Sequence, residues 1–227
     1  MKKFALIVAG GVGSRMGADV PKQFIELAGQ PILWWTIQCF LDFDDQVELV
    51  LVLPSSQFER WQQMSERFQV AGKIRLVSGG NTRFQSVKNG LNAIDESGIV
   101  FIHDGVRPLV SSETLNRCFQ TALEKGNALP VSPVVESLRM LAGGESQHVD
   151  RNQFRLVQTP QTFQTELIKK AYQQPETDFF TDDASVCEAA GIHIHLVDGN
   201  PENIKITNPT DLRVAEALLK TLGDSPA

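Results

Sequence analysis

The chain has 227 residues, with 21 Lys+Arg against 27 Asp+Glu, giving a formal net charge of −6 and a sequence pI near 5.3. That balance excludes a nucleic-acid binder driven by bulk positive charge, and 42% hydrophobic with 21% charged residues excludes wholesale disorder and fibrous repeats. A chain of this length is expected to bury roughly 70% of the surface its unfolded form exposes, which suits a single domain over 1–227 with an appendage.

The first apolar run, Phe4 to Ala9, follows Met1-Lys2-Lys3 and imitates the start of a signal peptide, but it stops at Gly10-Gly11 after six residues and reads as a strand. Pro31 then opens a helix carrying Leu33, Trp34, Ile37 and Phe40 on one side. Val47 to Leu53 reads as the next strand, followed by a helix marked by Phe58, Trp61, Met64 and Phe68. A strand at Ile74 to Val77 precedes a helix through Phe84, Val87, Leu91 and Ile94; a strand at Ile99 to His103 precedes one through Leu115, Cys118, Phe119 and Ala122. Ala128 to Val135 and Ile192 to Val197 are the last strand candidates, and Pro209 to Leu222 closes the series with Leu212, Ala215, Leu218 and Leu219 on one face. Strand and helix alternating in this way predict an α/β fold: a mostly parallel sheet with helices on both faces.

The alternation falters over 136–157, where Leu138-Arg139-Met140-Leu141 meets Gly143-Gly144 and a polar stretch. This predicts an inserted β-hairpin or arm, and the apolar side of such an arm needs a partner, for which a second subunit is the simplest choice. Cys39, Cys118 and Cys187 are odd in number and widely spaced, which argues for a reducing cytoplasm rather than a disulfide framework. His193 and His195, with Cys187 and Asp198 close in sequence, supply no fourth ligand at a spacing that zinc requires. Asp182-Asp183 reads first as an acidic pair at a helix N-terminus.

In an open parallel sheet, ligands bind beyond the carboxyl ends of the strands. The loop there reads Val8-Ala9-Gly10-Gly11-Val12-Gly13-Ser14-Arg15-Met16-Gly17, followed by Pro21-Lys22-Gln23-Phe24. Glycines let backbone amides approach an anion and form a nest for phosphate. A Walker A loop needs Gly-Lys-Ser/Thr where this chain has Gly13-Ser14-Arg15, and a dinucleotide fingerprint needs glycine where Met16 stands. What remains is a glycine-rich turn whose Arg15 and Lys22 either straddle a polyphosphate or are simply two solvated charges.

The stretch Leu6 to Lys22 resembles the nucleotidyltransferases that join an NTP to a sugar or alditol phosphate. Five further segments follow in order: Gly79-Gly80-Asn81-Thr82-Arg83-Phe84-Gln85-Ser86-Val87, His103-Asp104-Gly105-Val106-Arg107-Pro108, Val149-Asp150-Arg151 with Gln158-Thr159-Pro160-Gln161, Thr181-Asp182-Asp183-Ala184-Ser185, and Asn203-Ile204-Lys205-Ile206-Thr207. Together they are most similar to the 2-C-methyl-D-erythritol 4-phosphate cytidylyltransferases of the non-mevalonate (MEP) isoprenoid pathway. The resemblance implies a Rossmann-like nucleotidyltransferase fold, a homodimer formed through the arm, and transfer of CMP from CTP to methylerythritol phosphate with release of pyrophosphate. It also implies Mg²⁺ or another divalent cation, held by Asp104 directly or through water, and neither a nucleic-acid nor a membrane partner. Arg15, Lys22, Arg151 and Lys205 would take the catalytic roles. Ala9, Gly10, Gly11, Gly13, Gly80, Asn81, Arg83, Ser86, Asp104 and Gly105 would join Arg15 and Lys22 around CTP. Asp104, Arg107, Ser137, Arg151, Thr159, Thr181 and Lys205 would receive the acceptor, some of them from the second subunit. This chain departs from the common pattern at Asn81, where many relatives carry Asp, at Gly105 for Ala, and at Ser137 for Thr. Two other readings stay open: a ribitol 5-phosphate cytidylyltransferase, and a non-catalytic nucleotide-binding regulatory module.

Overall fold

A computed structural model describes residues 1–10, 20–70 and 72–223. Strand β1 (Lys2–Val8) lies between β4 (Glu48–Leu53) and β6 (Gly98–Asp104), parallel to both, and β5 (Ile74–Ser78) extends the sheet beyond β4. On the other side the order continues through β11 (Gln161–Gln164), β7 (Asn127–Pro133) and β10 (Arg155–Val157), while β12 (Leu196–Asp198) also pairs with β7. β11 runs antiparallel to both β6 and β7, and β10 is antiparallel to β7. The sheet is thus mostly parallel with two antiparallel strands let into one half.

Side chains alternate across each strand, and the core divides accordingly. Ala5, Ile7, Leu49, Leu51, Leu53, Ile99 and Phe101 face α1 (Ile32–Phe43), α2 (Phe58–Arg67) and α4 (Ser112–Lys125). Their neighbours Phe4, Leu6, Val50, Val52, Val100 and Ile102 face α3 (Arg83–Asn92), α5 (Thr165–Ala171) and α6 (Asp183–Ala189). The last helix, α7 (Pro209–Gly223), packs Ala215 with Ile32, Val106 and Ile206 in a smaller cluster beneath the loop after β6.

Two expectations needed revision. Ile192 to Ile194 and His195 lie outside the strand, which covers only Leu196–Asp198, because Asn127 clamps the preceding segment: its Nδ2 donates to the His193 carbonyl at 2.8 Å and its Oδ1 accepts from His195 N at 2.9 Å. β11, α5 and α6 were not anticipated, being 4, 7 and 7 residues long with little periodicity of their own.

Within 136–157, β8 (Leu138–Ala142) and β9 (Glu145–Val149) form a separate two-stranded hairpin that turns on Gly143 and Gly144, both at positive φ. Leu141 and Met140 on it, Val135 before it and Phe154, Leu156 and Val157 after it are exposed. A second, minimal hairpin, β2 (Glu26–Leu27) and β3 (Gln30–Pro31), turns on Ala28 at φ 48 and Gly29 at φ 79. Two-residue turns with positive φ at both positions favour Asn-Gly, and a β-carbon in the left-handed region costs roughly 1–2 kcal/mol. Ala28→Asn is therefore expected to raise unfolding free energy by about 0.5–1 kcal/mol. Urea denaturation should show the midpoint rising at constant slope; an unchanged midpoint would mean that the turn is strain-free as it stands.

Candidate active site

The strand order 6-1-4-5 makes the gap between β1 and β6 the topological switch point, where loops leave the sheet in opposite directions and open a crevice. A cleft of about 350 Å³ lies there, at the carboxyl ends of β1, β4, β5 and β6. Its lining includes Ala9, Gly10, Lys22, Gly80, Asn81, Arg83, Ser86, Asp104 and Lys205. These come from four separate segments of sequence. Gly11, Gly13 and Arg15 lie outside the described residues.

Asp104 ends β6 opposite Val8 and is buried. Its Oδ2 faces Lys205 Nζ at 3.1 Å and Arg107 Nε at 3.2 Å. Burial alone would raise its pKa, but Lys205, Arg83 and Arg107 outweigh it and hold the carboxyl well below the usual range. Asp104 is therefore an anion at any physiological pH. The position is fixed from behind: Asp104 N donates to Thr159 Oγ1 at 3.1 Å, and that oxygen lies 3.0 Å from His103 Nδ1. His103 Nε2 lies 3.0 Å from the Arg107 carbonyl. A carbonyl only accepts, so Nε2 carries the proton and Nδ1 accepts from the Thr159 hydroxyl. Desolvation pushes the His103 pKa down to about 4 and keeps the ring neutral.

Three expected ligand contacts thus lie behind the cleft wall. Thr159 is buried with its hydroxyl committed to His103 and Asp104. Arg107 spends Nε on Asp104 and Nη1 on the Asn203 carbonyl at 2.8 Å. Gly105 donates its N–H to Val8 O at 2.9 Å and accepts from Thr36 Oγ1 at 3.2 Å. A β-carbon on Gly105 would stand 2.7 Å from the Ala9 β-carbon, so this glycine sets how closely the β1 and β6 loops approach, and in this chain it is not interchangeable with alanine without a shift.

On the opposite wall, Thr82 caps α3 by accepting from Gln85 N at 3.1 Å. Ser86 Oγ donates to Thr82 O at 2.8 Å and accepts from Gly80 N at 3.1 Å, closing the loop on itself. Asn81 is exposed, its backbone N–H tied to Gln85 Oε1 at 3.0 Å. Arg83 lines the cleft with both terminal nitrogens paired to Asp183.

Residues outside the expected set complete the frame. Gln23 is buried and its Nε2 donates to the Ala9 carbonyl at 2.6 Å and to Gln57 Oε1, fixing the chain beside Lys22. Asp211 Oδ2 accepts from Thr207 N and Oγ1, both at 2.7 Å, and so shapes the turn next to Lys205. Pro-Lys-Gln in the glycine-loop segment, and Thr207 four residues before an acid at a helix start, were the available signals. Ser137, Arg151 and Thr181 do not line this cleft. Ser137 and Arg151 are exposed at the two ends of the hairpin, where Arg151 Nη1 donates to the Val135 carbonyl, and exposed Thr181 donates its N–H to Ser185 Oγ at 3.1 Å. A larger cavity, about 570 Å³, lies at the amino ends of β4 and β5 among Asp45, Glu48, Lys73, Arg75 and Asp95, remote from the glycine loop.

The cleft, then, offers lysines, one buried carboxylate and a glycine-rich wall, which suits a polyphosphate ligand. A family model for 2-C-methyl-D-erythritol 4-phosphate cytidylyltransferase matches residues 4–221. The chain belongs to that family. It is 51% identical to the 2-C-methyl-D-erythritol 4-phosphate cytidylyltransferase of Bacteroides fragilis over 96% of this chain and all of the relative, and 49% identical to that of Porphyromonas gingivalis over 96% and 98%. Among solved structures, the cytidylyltransferase of Thermus thermophilus superposes with a TM-score of 0.76 at 33% identity, covering 97% of this chain and 100% of that one. The 4-diphosphocytidyl-2C-methyl-D-erythritol synthase of Anaerococcus prevotii gives 0.83 at 27% identity, covering 96% of each. The fold is the Rossmann-like nucleotidyltransferase fold of these structures, and the chain is a cytidylyltransferase of the MEP isoprenoid pathway family.

Proposed function

We propose that the switch-point cleft transfers CMP from CTP to 2-C-methyl-D-erythritol 4-phosphate, giving CDP-methylerythritol and pyrophosphate. The observation that carries this is the convergence of Ala9, Gly10, Lys22, the Gly80–Arg83 turn, Asp104 and Lys205 on one crevice in a chain that matches the family along its length. The acceptor's phosphate oxygen attacks the α-phosphorus of CTP and the pyrophosphate oxygen leaves. Such a step needs little covalent help, so the protein acts by positioning and by neutralising charge. Lys22 faces the triphosphate, and the family resemblance gives Arg15 the same task; the backbone of Gly10 and Gly80 and the side chain of Asn81 border the nucleoside; Lys205 turns toward the acceptor's phosphate.

Asp104 is the residue that would hold Mg²⁺. Both cationic neighbours converge on Oδ2, and neither takes Oδ1. Among the described residues no group of three or more His, Cys, Asp or Glu could hold a metal alone, and a single carboxylate fits a magnesium ion that keeps waters and shares substrate phosphates. When bound, the ion supplies charge neutralisation across the phosphates.

The acceptor contacts assigned to Ser137 and Arg151 fit a homodimer in which the hairpin of one subunit reaches the cleft of the other. The exposed apolar side chains flanking the hairpin support this reading. Mixing Lys22→Ala chains with Arg151→Ala chains is expected to recover about half of wild-type turnover in verified heterodimers, since one of the two shared sites would be intact; absence of rescue would place Arg151 in its own subunit's site. Three free cysteines, two of them buried, fit a reducing cytoplasm, and no helix among the described residues is long and apolar enough to cross a membrane. The function is tested by pyrophosphate release with CTP and each acceptor. Turnover with methylerythritol phosphate is expected; turnover with ribitol 5-phosphate alone, or nucleotide binding without release, would replace this reading.

A further inference from the structure

One buried cluster links the nucleotide-side turn of the cleft to the segment that precedes α6. Asp183, the first residue of α6, is fully buried, and its carboxylate accepts from Arg83 Nη1 at 2.8 Å, from Arg83 Nη2 at 2.6 Å and from the Tyr172 hydroxyl at 2.6 Å. Arg83 opens α3, so it carries the Gly79–Thr82 turn on the nucleotide side. Tyr172 and Asp183 flank the segment 173–182, which contains Thr181, a residue that the family resemblance assigns to the acceptor though it stands outside the cleft lining. Aromatic packing repeats the link: Phe84 stacks on Tyr172 at 4.6 Å and on Phe180 at 5.6 Å. Gln85 repeats it once more, accepting from Asn81 N and donating to Glu176 at 3.0 Å. From below, Gln161 of β11 anchors the start of α6 by accepting from Ala184 N at 2.7 Å and donating to Asp182 Oδ2 at 2.8 Å.

Burying an ion pair gains little stability over well-packed apolar groups, since desolvation offsets the attraction, but a bidentate pair fixes geometry. The pair uses two of the five guanidinium donors and leaves three. We propose that Asp183 and Tyr172 are positioning residues that hold Arg83 in the cleft wall and, through it, couple the order of the nucleotide-side turn to that of the segment assigned by the resemblance to the acceptor. Each substrate then binds a cleft that the other has helped to order, and the coupling is reciprocal. This rests on the reading of the cleft as a two-substrate transferase site.

The test is steady-state pyrophosphate release from the full chain with CTP and methylerythritol phosphate varied independently, comparing wild type with Asp183→Asn, Tyr172→Phe and Arg83→Lys. For Asp183→Asn and Arg83→Lys, both KM values are expected to rise about tenfold with kcat held within about threefold, the scale of coupling through packed networks. Tyr172→Phe, which leaves the ion pair in place, is expected to raise both by about threefold. If Asp183→Asn does not fold, Tyr172→Phe decides the matter. A purely structural role would instead lower kcat with both KM values unchanged, as the folded fraction shrinks, and thermal unfolding would report that directly. That result, a rise in one KM only, or no change in any variant overturns the coupling. A wild-type chain that releases no pyrophosphate overturns the functional reading, and the proposal falls with it.

Discussion

Asp104→Asn is expected to lower kcat by about 10²–10³-fold at saturating substrates and magnesium, the scale seen when one preorganised electrostatic group is removed from a reacting centre. The substitution keeps the size of the side chain and leaves an oxygen to accept from Arg107 Nε and Lys205 Nζ, now 3.2 and 3.1 Å from Oδ2. The backbone N–H of residue 104 keeps its bond to Thr159. What disappears is the charge. Without it Lys205 loses the anion that aims it, and the candidate metal position loses its only protein carboxylate among the described cleft-lining residues. A fall in kcat below about tenfold under those conditions would remove Asp104 from the reacting centre.

Net charge points the wrong way for such chemistry. The chain is acidic overall, yet Lys22, Arg83, Arg107 and Lys205 gather at or just behind one cleft. The structure sharpens what that gathering means. Arg83 is neutralised by Asp183, and Arg107 shares Asp104 with Lys205, so four cations stand against two acids. The excess positive field is smaller than a count of basic residues suggests, and Arg151 adds nothing to it within one subunit. A modest local excess suits the proposed site, in which a divalent cation would share the phosphates with Asp104.

The sheet was legible in sequence because its central strands are buried on both faces and so read as continuous apolar runs; Leu49 to Leu53 and Ile99 to Ile102 are examples. The position of Asp104 followed from the same rule, since a polar residue that ends such a run sits at a strand's carboxyl end. The antiparallel half was not legible. Gln161-Thr162-Phe163-Gln164 carries one apolar residue, and it becomes a strand because β6 and β7 supply hydrogen-bond partners on both sides. The roles of Thr159 and Arg107 were hidden for a different reason. Both sit in motifs that mark a phosphate-handling site, and sequence does not say whether such a side chain faces the ligand or the residue that does. Asp182 behaved as expected, accepting from Ser185 N at 2.9 Å in a capping box, while its neighbour Asp183 turned inward to Arg83.

Acid stability offers the sharpest check on the buried frame behind Asp104. His103 is fully buried, with its pKa lowered to about 4 in the folded chain against about 6.5 unfolded. Between those values the unfolded chain binds a proton at this residue that the native chain does not, so stability falls as pH falls, by about 3 kcal/mol in all. Above about pH 6.5 the contribution is constant, and below about pH 4 it is fully lost. Burial explains why the native ring resists the proton, since an imidazolium there would lose its hydration; Nε2 already donates to the Arg107 carbonyl, and a second proton on Nδ1 would require the Thr159 hydroxyl to turn its own hydrogen away. His103→Gln is expected to lower stability at neutral pH yet flatten the dependence of unfolding free energy on pH between about 6.5 and 4, by up to ~1.4 kcal/mol per pH unit. Urea titrations at half-unit intervals would read both slopes. Equal slopes in the two proteins would mean that His103 takes its proton without unfolding, and that the frame behind Asp104 rearranges in acid rather than giving way.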